Sequence, residues 1–179
     1  MTMKNILALV LCILLFSASR AVSDDLTPSG NLTGIDKVHE KIAVSFNLKG
    51  AEEFRLDPEE IKKILRNALG SVGVVTNGSG LGVPMVGASV VGESTGGGGA
   101  RYIVEVFVRA TIRSPFAKNR SVEAIFWRDI ASGEETMRYD PASKDLVKPR
   151  GPISERVYSS VRDVASHLAS ELKKANPSK

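Results

Sequence analysis

The chain has 179 residues, with 24 Lys and Arg against 20 Asp and Glu and a single cysteine. A length of this order suits one domain burying about two thirds of its unfolded surface, and one cysteine excludes intrachain disulfides and thiolate metal clusters. The small charge excess gives no electrostatic case for a nucleic-acid partner.

The N-terminus carries one cation, Lys4, then an apolar run of 11 residues from Ile6 to Phe16, then the small-residue stretch Ser17-Ala-Ser-Arg-Ala21. That sequence predicts a secretory signal peptide over 1–21, cut near Ala21. A helix of that length reaches roughly 16 Å, about half a hydrocarbon core, so no membrane span is expected in the mature chain. Lys4, Arg20 and Cys12 leave with the peptide, so the exported chain is expected to be thiol-free, with 22 basic residues against 20 acidic. Leu11 before Cys12, and more apolar residues after it, do not suit a lipid-attachment site. A cysteine-free exported domain suits the bacterial periplasm. The sequons at Asn31, Asn77 and Asn119 keep eukaryotic secretion open.

Residues 22–38 are polar, with Pro28, Gly30 and Gly34, and are expected as a flexible lead-in to a single domain over 39–175, with a tail at 176–179. Ile42, Val44, Phe46 and Leu48 alternate as in a half-buried strand. Asp57-Pro58-Glu59-Glu60 supplies an N-cap, a proline for the first helical position and acid for the first turn. Ile61, Ile64, Leu65, Ala68 and Leu69 continue a helix that Gly70 is expected to close. A second strand is expected to begin at Val72–Val75. Ten of the 16 glycines then fall between Gly73 and Gly99, marking a Gly-rich insertion over 76–100 in which Val83–Val91 suits a short strand. Tyr102, Val104, Val106, Val108, Ala110 and Ile112 form a long period-two stripe. Ser121–Asp129 and Glu135–Tyr139 read as a hairpin joined around Ala131-Ser-Gly-Glu134. Pro141 to Pro152 reads as a basic loop. Val157, Val161, Val164, Ala165, Leu168 and Leu172 define an amphipathic helix, with Lys173 and Lys174 suited to its C-terminal dipole.

The order β-α-β, Gly-rich segment, β-β-β-α predicts a two-layer α+β fold. It is expected as a mostly antiparallel sheet of about four or five strands with two helices packed on one face.

Chemical motifs are sparse. Gly92-Glu-Ser-Thr-Gly96 matches a nucleophile-elbow string, but three more glycines and a strand follow it where a helix is needed. The glycine tract has no G-x-x-x-x-G-K-[ST], so a phosphate cradle is not expected. Two histidines, His39 and His167, are too few and too far apart for zinc, and no metal or cofactor is expected. Asp129, Glu134 and Glu135, or Glu105 and Glu123, are the acids from which a glycosidase pair would be drawn.

The side of the long strands turned from the helices is the more informative feature. Arg101, Ile103, Glu105, Phe107, Arg109 and Arg113 alternate against the buried stripe, and Ile125 and Trp127 are expected beside them. Phe, Trp, Ile and Arg together suit a contact surface rather than plain solvent. Phe107, Trp127, Arg109, Ile103, Ile125 and Arg113 are therefore the candidate binding residues, in the absence of any catalytic set. The expected occupation is a non-enzymatic binding or adaptor domain of the cell envelope that meets a protein partner by a sheet face or edge. The alternatives are a small-ligand carrier with a pocket under the Gly-rich segment, and an exported hydrolase using Ser94 or an acid pair.

Overall fold

The computed structural model describes residues 29–113, 120–142, 144–149 and 151–177. The expected signal peptide and the sequon at Asn119 lie outside the described residues. After a 3-10 turn at Ser29–Leu32 come β1 (Lys37–His39), β2 (Ala43–Lys49), a one-turn helix α1 (Ala51–Phe54), α2 (Pro58–Ser71) and β3 (Val75–Gly78). β4 (Met85–Gly96), β5 (Gly99–Arg113), β6 (Ser121–Glu135), β7 (Arg138–Asp140), β8 (Asp145–Val147) and α3 (Ile153–Ala175) follow. The fold is two-layer α+β. Its main sheet has four strands in the order β2-β4-β5-β6, while β1 pairs with β3 and β7 with β8 in two-stranded sheets. β2 runs parallel to β4, and the β4–β5 and β5–β6 pairings are antiparallel.

Local chemistry explains the helices. The Asp57 carboxylate accepts the Glu59 N–H at 2.8 Å and Pro58 opens α2, so one of the otherwise unpartnered first-turn donors is satisfied. Ile61, Ile64, Leu65 and Leu69 then face the core. The α2 helix runs one residue past Gly70, and the chain reverses at Gly73, whose φ of +78° favours glycine. In α3, Val157, Val161, Val164, Leu168 and Leu172 are each at most 3% exposed. The Tyr158 hydroxyl accepts the Asp57 N–H at 2.7 Å, fastening α3 to the start of α2. Both helices lie on the sheet side carrying Val86, Val90, Val104, Val106 and Val108, all buried. No helix of the described residues is long and apolar enough to cross a membrane.

Three stretches differ from expectation. The first lies at 29–38, where Leu32, Ile35 and Val38 enter the core. Asn176, just past α3, holds this stretch by donating to the Leu32 carbonyl and accepting the Gly34 N–H. Isolated apolar residues in polar sequence carry no periodicity, so their burial was not visible locally.

The second is the Gly-rich segment, whose second half forms all twelve residues of β4, beyond the expected Val83–Val91. The tract Gly96–Gly99 turns β4 into β5, with φ between +60° and +84° at Gly96, Gly97 and Gly98. Arg156 of α3 clamps this turn. One guanidinium nitrogen donates to the Gly98 carbonyl at 2.7 Å, another to the Gly151 carbonyl at 2.9 Å, and Glu135 stands 3.3 Å from its Nε. The strand expected to begin at Val72–Val75 starts only at Val75, runs into the Gly-rich segment as far as Gly78, and pairs with β1 rather than with the main sheet.

The third is the expected hairpin around Ala131–Glu134, which does not form. β6 runs unbroken from Ser121 to Glu135, and Gly133 sits opposite Tyr102. A Cβ at Gly133 would fall 2.7 Å from Tyr102 Cε1 and nearer still to Cζ. Glycine is there to let an aromatic ring cross the strand, not to turn the chain.

Candidate functional site: the open face of the sheet

The side of the four-stranded sheet opposite the helices bears no second layer among the described residues. Register places its side chains in rows across β2, β4, β5 and β6. Lys49, Glu93, Arg101 and Glu134 form one row, and Asn47, Val91, Ile103 and Ser132 the next. Ser45, Ser89, Glu105 and Ile130 follow, then Ala43, Gly87, Phe107 and Arg128. Val91, Ile103, Ile125 and Ile130 are 46–56% exposed, a scatter of aliphatic surface that a covered face would have buried.

Of the six candidate residues, five lie on or at the end of this face. Phe107 lies flat over Gly87, where a Cβ would come within 2.5 Å of its ring, and the Arg109 guanidinium stands 4.8 Å from the Phe107 centroid. That stack is a cation–π contact. Arg109 also reaches Glu123 at 3.1 Å, and Ile125 lies opposite Arg109. Ile103 occupies the middle of the sheet, while Arg113 is exposed at the far end of β5.

Trp127 is the correction. It was expected beside Phe107, but it is 2% exposed in the core, its ring edge-on to His167 of α3 at 5.9 Å. The cause is a β-bulge. Val108 pairs with Trp127 while Arg109 pairs with Ile125, so Phe126 is an extra residue and the alternation of β6 shifts by one. Phe126 itself packs partly buried against the core. Conversely, Lys49, Val91, Glu93, Ile130 and Glu134 belong to the face without having been expected there. Val86, Ala88 and Val90 at period two within the glycine-rich stretch were the available signal for β4, and hence for Val91 and Glu93.

Catalytic alternatives find little geometry. Ser94 lies within β4, its hydroxyl donating to Glu53 at 2.6 Å and accepting the Gly96 N–H at 3.2 Å. His167, on α3, is bound to Asp129, 2.7 Å away. The other candidate acids are each held by arginine: Glu134 by Arg101, Glu135 by Arg156, Glu105 by Arg128 and Glu123 by Arg109. A shallow hollow of about 430 Å³ lies on the open face over Val91, Ile103 and Gly133, rimmed by Lys49, Glu93, Arg101 and Glu134. A second, of about 350 Å³, lies at the sheet's end beside Leu81, Val83, Arg109 and Glu123. Among the described residues, no three His, Cys, Asp or Glu gather as a metal site.

No known family matches the chain, and no curated protein does. Among solved structures it is similar to rare lipoprotein B from Shewanella oneidensis, with 11% identity over 73% of this chain and 92% of that one, at a TM-score of 0.25. A likeness of that size carries no argument about what this chain does.

Proposed function

We propose that this chain is an exported, non-enzymatic binding domain of the bacterial cell envelope, which engages a protein partner through the open face of its four-stranded sheet. The observation that carries the reading is the uncovered central patch. Val91 and Ile103 are 46% and 48% exposed at paired positions on the two central strands, where a monomer that needed only its own core would place polar side chains. Export rests on the N-terminal pattern of a lone cation, an apolar run and small residues. The sheet supplies rigidity, so a partner ordering against it costs little reorganisation of this chain.

The test is in-cell crosslinking and capture with wild type, Ile103→Glu, and an Arg66→Ala control on the exposed side of α2. Ile103→Glu is expected to lose the captured protein while the control keeps it, with circular dichroism unchanged in both. Equal capture by all three would overturn the reading. Trp127 is unsuited to this test because its truncation would damage the core.

A further inference from the structure

We infer that the occupant of the open face is a second copy of this chain, stacked sheet on sheet about a two-fold axis parallel to the strands. The inference rests on the preceding reading that the face is a contact surface, and it names the partner.

The order of side chains along two rows favours such a pairing. Across β2, β4, β5 and β6 the first row reads Lys49, Glu93, Arg101, Glu134, that is plus, minus, plus, minus. Read backwards it is minus, plus, minus, plus, so the row is complementary to its own reversal. The neighbouring row reads Asn47, Val91, Ile103, Ser132, polar at the edges and apolar in the middle, the same in either direction.

A two-fold axis lying between two faces, along the strands and above the β4–β5 seam, performs that reversal. It sets Lys49 over Glu134 of the second copy and Glu93 over Arg101 of the second copy. Val91 then meets Ile103 of the second copy, and Asn47 meets Ser132. Every one of these contacts occurs twice, as an isologous interface requires. A perpendicular in-plane axis run along this row would set each strand over itself, with Lys49 above Lys49 and Glu93 above Glu93. Of the two axes that bring this row onto its own copy, charge therefore selects the one parallel to the strands. Aligned stacking of this kind is how β-sheets pack, with faces about 10 Å apart.

Size sets the strength. Four strands over seven residues span roughly 19 by 20 Å, about 400 Å² of sheet per copy, half of what a standard interface buries. The dimer is thus weak and reversible, held by an apolar centre within a charged rim, and it loosens as salt screens the rim.

Lys49 and Glu134 stand three strands apart in one copy, about 14 Å, so they cannot meet within a molecule. That separation makes a clean test. Sedimentation velocity is run on protein purified from cells expressing the full-length chain. Wild type is expected to show a concentration-dependent dimer that weakens in high salt. Lys49→Glu and Glu134→Lys are each expected to weaken self-association about tenfold or more, because each puts like charges together twice per dimer. Mixed in equal amounts, the two variants pair opposite charges at both sites and are expected to restore the dimer. A wild type that stays monomeric throughout, single variants that dimerise like wild type, or a mixture that stays monomeric would each overturn the inference. If it falls while Ile103→Glu still abolishes capture, the contact-surface reading survives with another occupant. If Ile103→Glu changes neither capture nor dimerisation, the contact-surface reading falls as well.

Discussion

Gly133→Ala distinguishes a glycine that turns a chain from one that makes room for a ring. In an unobstructed strand, alanine is more stable than glycine by roughly 0.5–1 kcal/mol, because glycine loses more backbone freedom on folding. Here the new methyl would stand 2.5 Å from the Tyr102 hydroxyl oxygen and 2.7 Å from Cε1. Tyr102 has little room to retreat. It is 8% exposed, its hydroxyl is 3.4 Å from Ser160 Oγ, and its Cβ side is closed by Gly92, where a methyl would itself lie 3.0 Å from Tyr102 Cβ. Overpacking of this kind costs about 1–3 kcal/mol, which outweighs the backbone gain. The expected net loss is about 1–2 kcal/mol, or roughly 2–8 °C in Tm for a domain of this size. Thermal and urea unfolding measure it, in the wild-type background and again with Tyr102→Val. In the second background the methyl has space, and the substitution is expected to become neutral or stabilising. A rise in Tm on Gly133→Ala with Tyr102 intact would refute the packing argument.

Trp127→Ala is expected to cost about 3–5 kcal/mol as a core truncation, while Ile125→Ala, 56% exposed, should stay within about 0.5 kcal/mol; the reverse order in a denaturant series would mean that β6 has no bulge. Arg156→Ala removes donors to the Gly98 and Gly151 carbonyls and is expected to cost about 2–3 kcal/mol. Arg156→Lys should recover little of that loss, since one ammonium cannot span both carbonyls. Unfolding midpoints equal to wild type in both Arg156 variants would show that the clamp contributes nothing.

What was legible depended on how far each signal reaches along the chain. The cap at Asp57, the apolar spacing of both long helices and the alternation from Tyr102 to Ala110 act within a turn or two, and all are present as written. The candidate face was legible to the same extent. Ile103, Phe107 and Arg109 follow from one strand's alternation, which needs no knowledge of a neighbour. Trp127 was misplaced because a bulge at Phe126 shifts the count by one, and a bulge is a property of two paired strands. Val91, Glu93 and Lys49 were missed because their strands had to be laid beside β5 before they shared a surface with Ile103.

Glycine shows the division most clearly. In sequence, Gly87, Gly97 and Gly133 are equivalent punctuation. In the structure Gly97 turns a hairpin at positive φ, Gly87 receives the Phe107 ring on the open face, and Gly133 receives Tyr102 on the core face. The sequence alone determined the two-layer class, the helices and the inward stripe of β5, because backbone geometry writes those periods locally. Only the tertiary structure decided the β6 register, the destination of Trp127 and the existence of an uncovered four-strand face. Those depend on which strand lies next to which, and residues well beyond a turn or two apart in the chain settle that by packing.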